Sequence, residues 1–257
     1  MCELLGINSA SKVYANDLLT EFYSHSKFHP NGWGLAVFHG DMAQIEKQPI
    51  SAKESIYLKQ RLRHKIMEKV LIAHIRLATM GSVDYENCHP FVRQDTCGRR
   101  WTLAHNGTLF HGDLVNKYFY TQEGTTDSER ILFYIIDKIN RDQTDLGRPL
   151  IESERFAVIN EVVNTLADGN KLNILLYDGE LMYVHTNYAH SLYISESDDT
   201  VLIATNPVGN QPWKELPMNT LLAFKNGRQV YSGNNHGKEY IDNEQDTKFL
   251  YLDSAWL

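Results

Sequence analysis

Two helical stretches follow one another in the middle of this chain, with strand patterns on both sides of them. "DSERILFYIIDKIN" (127–140) is preceded by Thr126, three residues before Glu129, a capping-box pattern at a helix start. "IESERFAVINEVVNTLAD" (151–168) carries Ile151, Phe156, Ile159, Val162, Val163 and Leu166 mostly at three- and four-residue steps, which makes one apolar face. Gly169 then supplies a stop. A chain that runs strands, helix pair, strands is predicted to be α+β, with helices packed on mainly antiparallel sheets.

The flanking patterns agree. "GLAVFHGDMAQIEKQ" (34–48) alternates apolar and polar residues around a Gly-Asp turn, a hairpin signal. Residues 53–68 read as a short polar helix, and "KVLIAHIR" (69–76) is an apolar run suited to a strand covered on both faces. "RRWTLAHNGTLF" (99–110) reads as strand and turn. "KLNILLYDGELMYVHT" (171–186) is strand, Asp-Gly turn, strand, and "SLYIS", "TVLIAT", "TLLAF" and "RQVYS" follow as further strands. With no repeat, low-complexity tract or Pro/Ser linker, the expectation is a single domain over residues 1–257.

Composition narrows the function classes. Apolar residues make up 42% and charged residues 22% of the 257, enough for a sizeable buried core. Lys plus Arg number 25 against 32 Asp plus Glu, a formal net charge of -7 without a basic run, which speaks against nucleic acid as a partner. No apolar stretch reaches the roughly 18–20 residues that cross a bilayer, and no secretory signal opens the chain. Three cysteines (Cys2, Cys88, Cys97) do not make a disulfide framework, so the expected compartment is the cytoplasm. Cys88 and Cys97 lack zinc-site spacing, and no His cluster or phosphate-cradling Gly loop stands out, so no metal or cofactor is expected.

Five stretches could carry chemistry. A small residue behind the initiator Met allows its removal, after which Cys2 would hold a thiol and a free α-amine on one carbon. The reference values, about 7.7–8.0 for the amine and about 8.5 for the thiol, let the amine act as base for its own side chain. In "LIAHIRLATMG" (71–81), Arg76 ends an apolar strand with a fork of donors suited to a carboxylate, and Thr79 adds a hydroxyl. A solvated Arg paired with a surface acid is the bland alternative. In "WTLAHNGTLF", Asn106 and Gly107 are first of all a hairpin turn; alternatively the Asn106 amide and the Gly107 N–H aim together at an oxyanion. In "GTTDSER", Asp127 suits a helix start on dipole grounds alone, or holds a substrate ammonium. In "HPNGWGLAVF", Gly32, Trp33 and Gly34 line a pocket mouth or form a turn with a core Trp. His89 and His105 read as structural.

The order of these signals is more specific than any one of them. Cys2 in "MCELLG", "GWGLAVF" at 32–38, "AHIRLATMG" at 73–81, "HPF" at 89–91, "AHNG" at 104–107 and "TDSE" at 126–129 together resemble a stand-alone class II glutamine amidotransferase domain of the N-terminal-nucleophile hydrolase superfamily. The resemblance covers about the first half of the chain. It implies a four-layer αββα sandwich of two mainly antiparallel sheets between helices. It also implies Cys2 as nucleophile, Asn106 and Gly107 as oxyanion hole, Arg76 and Thr79 at the substrate α-carboxylate and Asp127 at its α-amine. Gly34 and Trp33 would stand beside the substrate. Many synthase-linked members have His where this chain has Met80, which raises the option of a γ-glutamyl compound in place of free glutamine. The implied reaction releases glutamate and ammonia or an amine through a γ-glutamyl thioester. The implied partners are a small-molecule substrate and a separate ammonia-accepting synthase subunit. A non-catalytic glutamine-binding regulatory subunit is the alternative from another class, and an intact Cys2 behind Met argues against it, because binding needs no nucleophile.

Overall fold

Side chains alternate across a strand, so a strand between two layers sends odd and even residues to different cores. The computed structural model, which describes residues 2–40, 42–246 and 248, shows this from the first element onward. In chain order the elements are β1 (Glu3–Tyr14), α1 (Asn16–Ser24), β2 (Trp33–His39), β3 (Met42–Gln48), α2 (Ile56–Arg61), β4 (Met67–Ile75) and β5 (Phe91–Gln94). Then come β6 (Arg100–Thr108), α3 (Asp113–Asn116), α4 (Asp127–Leu146), α5 (Glu152–Leu166), β7 (Lys171–Tyr177) and β8 (Met182–His185). The last are β9 (Tyr193–Glu196), β10 (Thr200–Ala204), β11 (Lys214–Glu215), β12 (Leu222–Lys225) and β13 (Arg228–Ser232).

One sheet has seven strands in the order β11-β9-β10-β1-β4-β2-β3, the other six in the order β13-β12-β8-β7-β6-β5. The pairings are antiparallel. On the first sheet Leu5, Ile7, Leu35, Val37, Leu71 and Ala73 pack outward against Leu19 and Phe22 of α1 and Leu58 of α2. Their neighbours Leu4, Ala36, Phe38, Val70 and Ile72 face inward and meet Ala104, Leu175, Met182, Val184 and Phe224 of the second sheet. Trp101, Leu103, Ile174, Leu176 and Tyr183 then cover the outer face of that sheet with α4 and α5. Helices, sheet, sheet, helices: the chain is the expected αββα sandwich. Each large side chain taken fully out of water contributes roughly 1.5–3 kcal/mol, and the three clusters together hold the layers.

Local expectations fare unevenly. The helix expected over 53–68 is only α2, six residues capped by Ser55, whose Oγ accepts the Leu58 N–H at 2.9 Å. Beyond it the backbone is taken by β1 and its approach: Ile66 N donates to Asn16 Oδ1, and Met67 already pairs with Tyr14. Thr126 caps α4 by accepting the Glu129 N–H, but the Glu129 carboxylate does not complete the box. It accepts the N–H groups of Glu123 and Gly124 and a donor from Arg93, tethering the loop ahead of the helix. The Asn106-Gly107 pair is no turn at all: it lies inside β6, with Asn106 opposite Asn173 and Gly107 opposite Leu172. Asn226-Gly227, with φ of 51° and 71°, is the Asn-Gly pair that does turn a hairpin, between β12 and β13.

Candidate active site

Register and parity bring the first called residues together. Leu4 faces the space between the sheets, so Cys2, two residues earlier, falls on the same side at the strand's mouth. The β1–β4 ladder reaches Glu3 opposite Ile75, which sets Cys2 beside the segment leaving β4; its Sγ donates to the Leu77 carbonyl at 3.5 Å. Cys2 is half-buried. Burial pushes its thiol up from the ordinary value, and the Arg76 charge opposes that rise.

From the other sheet, Ala104 points inward, and so does Asn106 two positions on. Thr205, just past β10, stitches the two sheets at this end. Its Oγ1 accepts the Leu4 N–H at 3.0 Å and the Asn106 amide at 3.5 Å. Sequence reasoning had no signal for Thr205, because its task depends on where β10 meets β1. Gly107 has to be glycine for packing: a Cβ there would lie 1.9 Å from the Lys171 carbonyl oxygen of the neighbouring strand. A cavity of about 390 Å³ opens at this end, and Cys2, Thr79, Asn106 and Gly107 all line it.

Arg76 and Asp127 stand behind that cavity, outside its lining, and both are occupied. Arg76 is buried, and it donates to the carbonyls of Ser82 at 2.8 Å, Met80 at 2.9 Å and Gly81 at 3.0 Å. It therefore holds the loop after β4 in shape. Asp127 is also buried; its Oδ2 accepts the Leu109 N–H at 2.7 Å and its Oδ1 the Ser128 hydroxyl at 3.2 Å. The Ser128 Oγ lies 2.9 Å from His105 Nδ1, and the His105 N–H donates to His89 Nδ1. Both histidines thus brace β6 from inside, as a structural role requires.

Trp33 and Gly34 do not stand beside the cavity. Trp33 is fully buried in the outer core of the first sheet, edge-on to Tyr23 and stacked on Tyr57. Its odd position sends it away from the space between the sheets, which is the physical reason the pocket-mouth expectation fails. Gly34 serves a close approach instead, since a Cβ there would lie 1.8 Å from the His89 carbonyl oxygen.

Residues 1–248 match the family described as class-II glutamine amidotransferases. The chain belongs to that family. An uncharacterized protein of Methanocaldococcus jannaschii is 33% identical over 262 residues, which cover 90% of this chain and 71% of that one. A Haemophilus influenzae protein with the name "Putative glutamine amidotransferase" is 30% identical over 272 residues, 94% of this chain and 90% of its own. Among solved structures, the glutamine phosphoribosylpyrophosphate amidotransferase of Bacillus subtilis superposes with a TM-score of 0.67 at 19% identity. That match covers 91% of this chain but only 49% of the Bacillus chain, so this chain spans about half of that relative's length. At such identity the likeness concerns the fold.

The rest of the cavity carried no signal in the sequence. Thr108, Phe110, Lys171, Tyr188, Tyr240 and Asp242 complete its lining, four of them from beyond residue 170. A Lys opening an apolar strand normally reads as a solvated strand end, and the later residues lie in connecting segments. The pairing of Thr108 with Lys171 places the lysine at this site. Cys2, Cys88 and Cys97 are free thiols. Among the described residues no group of three or more His, Cys, Asp or Glu could hold a metal ion, and no helix is long and apolar enough to cross a membrane.

Proposed function

We propose that this amidotransferase cleaves the γ-amide of glutamine or of a γ-glutamyl compound, with Cys2 as nucleophile once Met1 has been removed. The observation that carries this reading is that two different sheets deliver a thiol and an amide-bearing strand to one cavity: Cys2 from β1's mouth, Asn106 and Gly107 from β6. The freed α-amine takes the Cys2 proton as sulfur attacks the γ-carbonyl carbon. The resulting oxyanion is met by the Asn106 Nδ2–H and the Gly107 N–H. Among the described residues the Asn106 amide nitrogen is held by a long 3.5 Å contact to Thr205, one that a stronger acceptor can displace. The amine returns its proton to the leaving nitrogen, the C–N bond breaks, and a γ-glutamyl thioester remains. Water, deprotonated by the same amine, releases glutamate and restores the thiol.

At the other end of the substrate, Thr79 and Arg76 hold the α-carboxylate and Asp127 the α-ammonium. Arg76 spends three donors on the loop carbonyls, so it takes up the carboxylate with its remaining donors or by exchanging one carbonyl. Anchoring both α-groups fixes the γ-carbon against sulfur and removes much of the entropic part of the barrier. Met80 offers no donor at the carboxylate, which favours a substrate held by more than its glutamyl half. The ammonia released goes to solvent or to a separate synthase subunit.

Burial pushes the Cys2 thiol up, away from the reactive thiolate, which favours a second reading, a regulatory module that binds glutamine without cleaving it. Cys2→Ala and Cys2→Ser variants with processed termini separate the two, assayed for glutamate and ammonia release. Activity in the wild type that vanishes with Ala establishes the hydrolase. Wild-type rates in the Ala variant refute Cys2 as nucleophile. An intact mass that retains Met1, with no label from a glutamine-like electrophile, supports the regulatory module.

A further inference from the structure

Lys171 and Asp242 are the charged residues of the cavity lining that the proposed reaction leaves without a counterpart, and Lys171 is the buried one. Asn106 pairs with Asn173 and Thr108 with Lys171, so Lys171 is the next same-face position along β7 from the partner of Asn106. Such diagonal neighbours lie roughly 7–8 Å apart, within the span of a lysine side chain. The residue is only 5% exposed. Among the described residues its ammonium makes no ion pair and no hydrogen bond. It lies over the Tyr188 ring, 3.1 Å from the centroid, and 5.9 Å from that of Tyr240. The carboxylate of Asp242, the acid nearest in effect, is hydrogen-bonded to the Tyr188 hydroxyl. Tyr240 in turn stacks on Phe110 at 5.5 Å and donates its hydroxyl to Asp246 at 3.0 Å, so the aromatic wall is fixed.

A buried cation with no ion pair among the described residues is costly, and burial, opposed by the Asp242 charge, lowers Lys171 to about 8, where it is still mostly protonated at pH 7. Ammonia, the leaving group from glutamine, has nothing to offer it. The α-carboxylate of the glutamyl half is already assigned to Thr79 and to Arg76 behind the cavity, and the exposed Asp242 carboxylate is taken by the Tyr188 hydroxyl, so the buried cation inside the cavity calls for a second anion. An amine that is itself an amino acid carries one, a bond or two from the scissile nitrogen.

We propose that Lys171, walled by Tyr188 and Tyr240, is the leaving-group subsite, and that it selects γ-glutamyl amino acids over glutamine. This rests on the hydrolase reading above and names its substrate class. Sulfur attacks the γ-carbonyl, the bond to the amino-acid nitrogen breaks, and that nitrogen takes the proton carried by the α-amine. Water then opens the thioester, giving glutamate and a free amino acid whose carboxylate leaves Lys171. The tyrosine faces favour an apolar or aromatic side chain on that amino acid.

The test compares γ-glutamylalanine, γ-glutamylethylamide (the same amide lacking the carboxylate) and glutamine, with wild type, Lys171→Met and Lys171→Arg. Losing a charge-assisted bond should cut the γ-glutamylalanine to γ-glutamylethylamide ratio of kcat/KM by roughly 10–100-fold in Lys171→Met, mostly through KM. Lys171→Arg should recover part of it. An unchanged ratio overturns the subsite, and so does an equal fall on all three substrates, which places Lys171 at the glutamyl carboxylate or in the framework. Calorimetry on Cys2→Ala reads binding without chemistry. Lys171-dependent binding of γ-glutamylalanine by a wild type that hydrolyses none of the three leaves the subsite standing and refutes the hydrolase; hydrolysis with a Lys171-independent ratio does the reverse.

Discussion

Acid should unlatch this fold at the strand that carries Asn106. His74 on β4 and His89 stack with ring centroids 4.2 Å apart, and the His105 N–H of β6 donates to His89 Nδ1. Both rings are buried. Burial first, then the charge of Arg76 for His74 and the neighbouring histidines for His89, hold both well below the usual histidine range. In the unfolded chain each protonates near pH 6.5, so acidification makes the unfolded state the better proton acceptor. Stability due to the neutral rings is complete above that pH and is lost as pH falls, by about 1.4 kcal/mol per unit for each ring. While both folded rings stay neutral their slopes add, so two protons' worth of stability is lost per pH unit below 6.5. Urea unfolding of wild type and His74→Phe at half-unit steps from pH 7.5 to 4.5 measures this. Carboxylates titrate in the same range but cancel in the difference. The variant should lose stability less steeply, by about one proton's worth of slope. Parallel curves for the two proteins refute the argument.

Three further outcomes are expected. Asn106→Ala should lower kcat for amide hydrolysis about 100- to 1,000-fold with an unchanged circular dichroism spectrum, and a loss of less than about tenfold removes it from the oxyanion hole. Asp178→Ala should cost about 3–5 kcal/mol in urea unfolding, because it removes the buried partner of Arg155, whose Nε lies 2.7 Å from Asp178 Oδ2, and leaves that guanidinium only the half-exposed Glu180 as a charge partner among the described residues. The same carboxylate accepts the Tyr183 hydroxyl and the N–H groups of Glu180 and Leu181, so a cost below about 1 kcal/mol would contradict this account. Gly34→Ala should destabilise by about 1–3 kcal/mol or more, since the new methyl meets a backbone carbonyl at 1.8 Å; an unaltered melting temperature would show that β2 and the His89 segment can part freely.

Alternation and helical period are local properties, so the sequence by itself determined the strands, the two long helices and thereby the α+β layering. Residue chemistry marked Cys2, Thr79, Asn106 and Gly107, and the structure brings these four to one cavity. Local pattern failed where a distant partner decides. The pair Asn-Gly names a turn at 226–227 but lies inside a strand at 106–107, because β7 supplies a partner for the ladder there. Trp33 has the makings of a pocket residue until its parity relative to β4 turns it outward. Lys171 looks like a strand end until its register against Thr108 buries it beside the thiol. Which face a residue takes, and what waits on that face, depends on contacts between segments some forty or more positions apart, and those are fixed only when the sheets assemble.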